Sequence, residues 1–383
     1  MSRPTTKGFF VRERLIEARE ARGLSQADIA TLVDRSASTI SKWESGDQAP
    51  DPAILENLAA NLGVTTAYLV RQMPDYQSPS IFFRSLKAAS ARSRTRARAR
   101  IGWMQTVSLA LQEIVDFPSL NIPDLDIGDY RRIDDARLEE IATELRAFWN
   151  LGQGPIRSIG LVAENAGIVV GMDSAGVTKI DGESLWSPID GRPYILLNDE
   201  KNCAFRRQMD IAHELAHIVL HKNVTPEQLD ADFDRIEHQA KYLGSALLLP
   251  YKTFTSDILS LSLDSLLTLK PRWMVSVGAM VMRAHQLDLM SDEAATRLWK
   301  ARAARGWHKR EPMDDPRETA VENPRMLRRS IELIVDNGVR SKSDLIEYDL
   351  GISGSEVETI ASLDRGYFYE PPANVVAPPK GFM

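Results

Sequence analysis

The segment His213-Glu214-Leu215-Ala216-His217 puts two imidazoles and a carboxylate inside a run, Met209 to Leu220, that reads as a helix. Histidines four apart lie on one helical face, about 6 Å apart along the axis, so both can reach one Zn²⁺. Glu214, beside the first histidine, can take a proton from a water activated by that ion. The chain has only six histidines and four of them fall between His213 and His238, so this spacing is unlikely to arise by chance. The chemistry it predicts is metal-assisted hydrolysis, as in a zinc peptidase.

A tetrahedral catalytic zinc needs three protein ligands and one open position. His221 lies on the same face but about 12 Å along the axis from His213, too far for bonds of about 2 Å. It is read as a residue that supports a ligand from behind or packs there. The third ligand must come from another element, and Asp230, Asp232, Asp234, Glu237 and His238 are the candidates. Glu237 has the best context. It shares a face with Ala240, Gly244 and Leu248, and the small residues at 240 and 244 allow close approach to the first helix. The alternative for Glu237 is an exposed charge favourable to a helix start. Tyr194, Arg206 and Tyr242 are weighed as oxyanion donors, with a structural role preferred for each. Cys203 is weighed as a thiolate masking the metal and preferred as a small apolar residue.

The elements that must position these groups are mostly helical. Five short helices are expected in the first 72 residues: Arg14–Arg22, Gln26–Val33 capped by Ser25, a third from Ser36 to Ser45, Pro52–Leu62 and Thr66–Arg71. Leu15, Ile29, Val33, Ile40, Trp43 and Leu58 are among the residues expected to form one small core. After a linker at 73–80 the pattern predicts a long helix from Phe82 to Val115, a helix Asp135–Trp149, and another started by Pro155 and ending near Asn165. Strands are expected at 167–172, 183–187 and 194–198, with Asp190-Gly191 as a turn. The two site helices follow, then helices to about Ala304, a polar stretch, a small helical module at 324–365 and a disordered tail at 366–383. The fold class is mainly α with a small β-sheet, α+β. Its units are 9–72, 73–133, 134–255, a helical extension at 256–312, and the C-terminal module.

Composition narrows the context. Hydrophobic residues at 43% and charged residues at 26% describe an ordinary soluble protein, and one cysteine excludes an internal disulfide. The first residues lack a long apolar core and no run reaches about 18 apolar residues, so a cytoplasmic protein with no membrane partner is expected. The net charge of −6 does not suggest nucleic acid, yet Arg84 to Arg100 holds seven Lys/Arg and no acid. That run is read either as a surface for phosphates or as a solvated helix. Arginines at every second position argue against a single stripe.

Helix, short turn, helix is a DNA-reading unit. The run LSQADIATLVDRSASTISKWESG, Leu24 to Gly46, resembles the phage-repressor-type (XRE) helix-turn-helix family. The resemblance implies a double-stranded DNA operator as partner. It places Gln26 at phosphate or base, and Ser36, Ala37, Ser38, Thr39 and Lys42 at the major groove. It also implies an Arg19–Glu44 ion pair and a homodimer reading two half-sites. The turn glycine of that family is Asp34 here, a residue that tolerates left-handed backbone. The small side chains at 36–38 imply modest specificity.

A second resemblance covers roughly Pro79 to Pro312. The runs Arg192–Asn198, Ala212–His221 and Glu237–Pro250, extended by Pro79–Ser90, Gly154–Val170 and Pro271–His285, look like the ImmA/IrrE family of metallo-endopeptidases. The resemblance implies a zincin-like fold, with Zn²⁺ (or Mn²⁺) held by His213, His217 and Glu237 and with Glu214 as general base. Its implied substrate is a repressor-type protein, cleaved in trans or in the same chain during a stress or mobile-element response. Lys241 and Leu243 depart mildly from the family pattern. The competing reading is a non-proteolytic transcription factor or antitoxin-like regulator that uses the peptidase fold as a sensor. A third, the HExxH as a plain structural helix, would leave a carboxylate buried between two histidines at a high desolvation cost.

Overall fold

The computed structural model describes residues 10–74, 82–83, 90–173, 182–198 and 202–369. Of the tail expected to be disordered, 366–383, the part from Glu370 lies outside these residues, as does most of the Pro79–Ser90 run; residues 366–369 are ordered instead, with the N–H groups of Gly366 and Phe368 bonded to Glu358.

Five helices open the chain: α1 (Arg12–Ala21), α2 (Gln26–Leu32), α3 (Ala37–Ser45), α4 (Pro52–Leu62) and α5 (Thr66–Val70). Their starts follow from local chemistry. Ser25, Ser36, Asp51 and Thr65 each accept a hydrogen bond from a first-turn backbone N–H, and Gly46 and Gly63 end their helices in the left-handed region. Asp34 takes that region too, at φ 52°, in the turn between α2 and α3.

The expected long helix is shorter than its sequence pattern. Phe82–Phe83 form a strand, β1, and α6 (Ala91–Gln112) begins only at Ser90, whose side chain caps it. Its arginines are divided between the fold and the solvent, with Arg92 and Arg98 exposed. Arg92, Arg96 and Arg100 stand at intervals of four, a single helical row that runs from exposed Arg92 to buried Arg100. Arg92 and Arg96 donate to the carbonyls of Gly23 and Ala21 at the end of α1, while Arg100 reaches Asp173 at 3.0 Å and also pairs with Glu356. Cations at a helix C-terminus are favourable, so part of the basic run is consumed in holding the fold.

Next come α7 (Asp135–Phe148), α8 (Ile159–Asn165), β2 (Val169–Asp173), β3 (Gly182–Trp186), β4 (Pro193–Asn198) and α9 (Ala204–Leu220). Pro155 does not start α8; Ser158, three residues later, caps it. The sheet order is β1-β3-β4-β2, antiparallel except for the β4–β2 pair. Further on lie α10 (Pro226–Ala231), α11 (Phe233–Leu248), α12 (Tyr251–Asp257), α13 (Leu263–Trp273), α14 (Val277–Gln286) and α15 (Asp292–Ala304). The chain closes with α16 (Met326–Asp336), the short α17 (Lys342–Asp344) running into a π-helical turn, and α18 (Gly354–Ile360).

The sheet separates two cores, because strand residues alternate between its faces. Val170, Met172, Ile195 and Leu197 face α7, α9 and α11. Val169, Leu185, Tyr194 and Leu196 face the buried side of α6, where Trp103, Met104 and Val107 are fully enclosed. That second core continues into α1–α5 and the C-terminal helices. The residues expected to form a small N-terminal core do sit together, but they share it with α6 and with residues 326–363. Backbone bonds tie the two ends of the chain, Thr65 N–H to Gly351 O at 2.9 Å and Ser353 N–H to Gly63 O at 3.0 Å. Arg22 pairs with Glu356 at 2.6 Å.

One residue in this packing is costly. Glu183, on the α6 side of β3, is buried, and its Oε2 has no hydrogen-bond partner among the described residues. Burial, then the charges of Asp173 and Glu214, push its carboxyl well above the usual range. Above about pH 4.3 the unfolded chain ionises here while the folded chain keeps its proton, so this group's contribution to stability falls as pH rises. Glu183→Gln removes that dependence. Its thermal midpoint at pH 8 is expected to exceed wild type, by about 1–3 kcal/mol in stability, and the gap to close towards pH 4. A wild-type midpoint equal or higher at pH 8 would refute this account.

Candidate functional site

Two helices build the site. Helix α9 presents His213 and His217 on one face, and α11 crosses it so closely that a Cβ on Gly244 would lie 3.1 Å from the Ala212 carbonyl and the His213 nitrogen. Ala240, one turn earlier, is fully buried in the same contact. Glu237, two turns before Gly244, is thereby carried to the histidines. The Nε2 atoms of His213 and His217 are 3.1 Å apart, and Glu237 Oε1 stands 3.6 Å from the first and 3.3 Å from the second. All three are buried, and their ligand atoms lie within 4.8 Å of one another. Burial raises the Glu237 carboxyl, but the two histidines beside it outweigh that and hold it well below the usual range. Lys241 reaches its other oxygen at 3.2 Å.

The orientation of His217 follows from counting protons. Gln239 donates its amide nitrogen to the carbonyls of Tyr130 and Ile133, at 2.7 and 3.1 Å, so its oxygen faces His221 Nε2 at 3.1 Å. His221 Nε2 must then carry the proton, which leaves its Nδ1 as acceptor. His217 Nδ1 lies 3.1 Å from that nitrogen and donates to it. The His217 lone pair is thereby left on Nε2, facing Glu237 and His213. Burial, followed by neighbouring His217, lowers the His221 imidazole to about 3, so it is neutral. His221 thus sits behind the cluster, as its distance along the helix predicted.

Glu214 points to the sheet and is fully buried. Ser184 on β3 donates to its Oε2 at 2.7 Å, and a Cβ on Gly182 would lie 3.1 Å from its Oε1. Glycine at 182 lets the strand approach the carboxylate. Neither Gly182 nor Ser184 was singled out in the sequence; the only signal was their alternation along a strand. Gln239 likewise gave no local signal.

Other candidates are placed elsewhere. Asp232 accepts from Tyr130 and Arg131, and His238 meets Asp135 at the surface. Asp230 and Asp234 do not join the cluster. Tyr194 lies on the opposite side of the sheet, bonded to Ser108 and Asp190. Tyr242 packs against Arg283, and Arg206 lines a separate cleft with Trp299 and Trp307. Cys203 donates to Asp314 Oδ1 at 3.3 Å, and burial pushes its thiol up, away from the thiolate a metal would need.

On the N-terminal helices, Ser36, Ala37, Ser38 and Lys42 are exposed along the start and outer face of α3, while Thr39 is half-buried with its hydroxyl 2.9 Å from Ser36 Oγ. Arg19 and Glu44 form the expected ion pair, at 2.6 Å. Gln26 donates to the same Glu44 at 2.8 Å and is half-buried.

No helix among the described residues is long and apolar enough to cross a membrane. No curated protein matches the chain. Two family models do. Residues 15–69 match the one described as helix-turn-helix, spanning α1 to α5. Residues 163–285, from α8 through α14 and so including the sheet strands β2–β4 and the whole His-His-Glu cluster, match the IrrE N-terminal-like domain of peptidase family M78. The chain therefore carries a helix-turn-helix DNA-binding domain fused to an IrrE/ImmA-type peptidase domain.

Proposed function

We propose that this chain is a zinc-dependent endopeptidase mounted on an operator-binding domain. It hydrolyses a peptide bond in a repressor-type protein, in trans or in its own chain, as part of a stress or mobile-element response. The observation that carries the reading is the convergence of His213 Nε2, His217 Nε2 and Glu237 Oε1 at 3.1–3.6 Å. Bonds of about 2.0–2.1 Å in a tetrahedron put ligand atoms about 3.3 Å apart, so the spacing fits zinc. A carboxylate with two imidazoles is also a donor set that leaves one position open.

When bound, zinc supplies Lewis acidity, polarising the scissile carbonyl and bringing the pKa of a water down to about 7. Glu214 takes the proton of the attacking water and delivers it to the leaving amine. Ser184 holds that carboxylate through Oε2, fixing its direction. His221 and Gln239 hold the His217 ring and its proton on Nδ1. Residues that orient a metal-binding imidazole are worth about 10–100-fold in affinity. His221→Ala is expected to weaken zinc binding by that factor in a chelator competition while the far-ultraviolet spectrum is unchanged; unaltered affinity would reduce His221 to packing.

DNA binding rests on the exposed face of α3. Ser36, Ala37, Ser38 and Lys42 are short or flexible there, which supports modest sequence preference, with Gln26 and Thr39 at its margin and two half-sites read by a homodimer. The reading as a regulator that does not cut is favoured by one observation, the complete burial of Glu214.

The decisive experiment incubates the zinc-loaded chain with host-cell proteins and with its own operator, then maps new protein termini by mass spectrometry. Metal-dependent cleavage at a defined bond identifies the substrate. No cleavage, with zinc bound and DNA recognised, would leave the regulator reading.

A further inference from the structure

Strand β3 lies against the candidate catalytic group through one face, where Ser184 bonds Glu214 and Gly182 approaches it. One edge of β3 pairs with β4, and the other faces away from β4. A strand edge carries unpaired N–H and C=O groups, and an extended peptide can add to it as a further strand whatever its side chains. Peptides bound in this way are held at a fixed distance from the neighbouring base, the positioning that hydrolysis requires. The place beyond β3 is therefore where the main chain of a substrate would be presented to Glu214.

In this chain the place is already taken. Phe82 and Phe83 pair antiparallel with β3, Phe82 opposite Ser184 and Phe83 opposite Glu183. The strand that occupies the edge thus lies directly opposite the residue that orients Glu214. Within the described residues it pairs with two of the five residues of β3. As part of the same chain, such a segment competes with an outside peptide at high effective concentration.

We propose that Phe82–Phe83 is an internal occupant of the peptide-binding edge, holding the peptidase at rest until a substrate strand displaces it. The inference rests on the metallopeptidase reading above. The occupant is also linked to the DNA-binding helices. The chain enters α6 at Ser90, and Arg92 and Arg96 of α6 grip the carbonyls of Gly23 and Ala21 at the end of α1.

The test uses the full chain loaded with zinc and two probes, acetohydroxamate, which sees only the metal, and an extended tripeptide hydroxamate, which needs the edge as well. Proline has no N–H to donate, so Phe82→Pro together with Phe83→Pro removes the pairing. Calorimetry is expected to show the tripeptide hydroxamate binding at least tenfold tighter to the variant, with acetohydroxamate unchanged. Equal tripeptide affinities, with acetohydroxamate bound, overturn the inference and leave the metal centre standing. Failure of acetohydroxamate to bind either protein sinks the metal-centre reading and this inference with it. Wild type supplies a readout independent of the variant's folding: saturating tripeptide hydroxamate should speed amide hydrogen exchange at Phe82 and Phe83 while β4 stays protected, and unchanged exchange there overturns the proposal. Cleavage of the wild-type chain between residues 79 and 90 would make the segment a substrate, and that too overturns it.

Discussion

The Glu214→Gln protein is expected to bind zinc as tightly as wild type and to hydrolyse peptide bonds about 10²–10⁴-fold more slowly, the usual worth of a positioned general base. The two halves of this expectation come from different atoms. Glu214 is not among the three groups that converge at 3.1–3.6 Å, so exchanging its carboxylate for an amide leaves the donor set intact. Glutamine has nearly the same shape and can still accept the Ser184 hydroxyl proton through its oxygen, so the contact between β3 and α9 survives. What it cannot do is take a proton from water. The loss should therefore fall on kcat, with KM little changed, because the interaction removed is made on the way to the transition state. Steady-state cleavage of the mapped substrate, with zinc content measured on the same samples, checks both halves. Activity within a few-fold of wild type would remove Glu214 from the mechanism and move the proton-accepting role elsewhere.

The parts of this arrangement that the sequence made legible are those set by local rules. The pairing of His213 with His217 follows from the pitch of a helix alone, and Ser25, Ser36 and Asp51 mark helix starts because a short polar side chain can satisfy an orphan backbone N–H. Glu237 was found through the small residues that share its face, and Gly244 does make the close contact with α9. What was not legible depends on contacts between distant segments. Ser184 reaches Glu214 across thirty positions, and no periodicity announces such a bond. The run before Ser90 contains no proline or glycine to stop a helix, so the pattern extended α6 back to Phe82; pairing with β3 decides otherwise. The arginines of α6 were open to two readings, a surface for phosphates or a solvated helix, with their alternation arguing against one stripe. Three of them form a row whose partners, Gly23, Ala21 and Glu356, are remote in sequence. The C-terminal helices gave no hint of where they dock, since their partners at Gly63 and Thr65 lie almost the whole chain away.

Removing the third convergent group tests the centre from the metal's side. Glu237→Ala is expected to lower zinc affinity by more than the roughly 100-fold that marks the upper range for residues that only orient a ligand. The consequence for stability follows by linkage. At free zinc 100 times its Kd, wild type gains about 2.7 kcal/mol; a variant bound 100-fold more weakly gains only about 0.4 kcal/mol at the same zinc. Melting each protein across a zinc titration should then give a rising midpoint for wild type and a nearly flat one for the variant. Comparing both after chelation separates the metal's contribution from packing, because Glu237 in the metal-free protein also meets Lys241 and both histidines. A variant that keeps wild-type affinity would require another third ligand. Asp232 and His238 are already engaged by Tyr130, Arg131 and Asp135, so α11 would have to turn about its axis to offer one of them. Its close packing at Gly244 opposes that rotation, since any shift drives the helix into the backbone of Ala212 and His213.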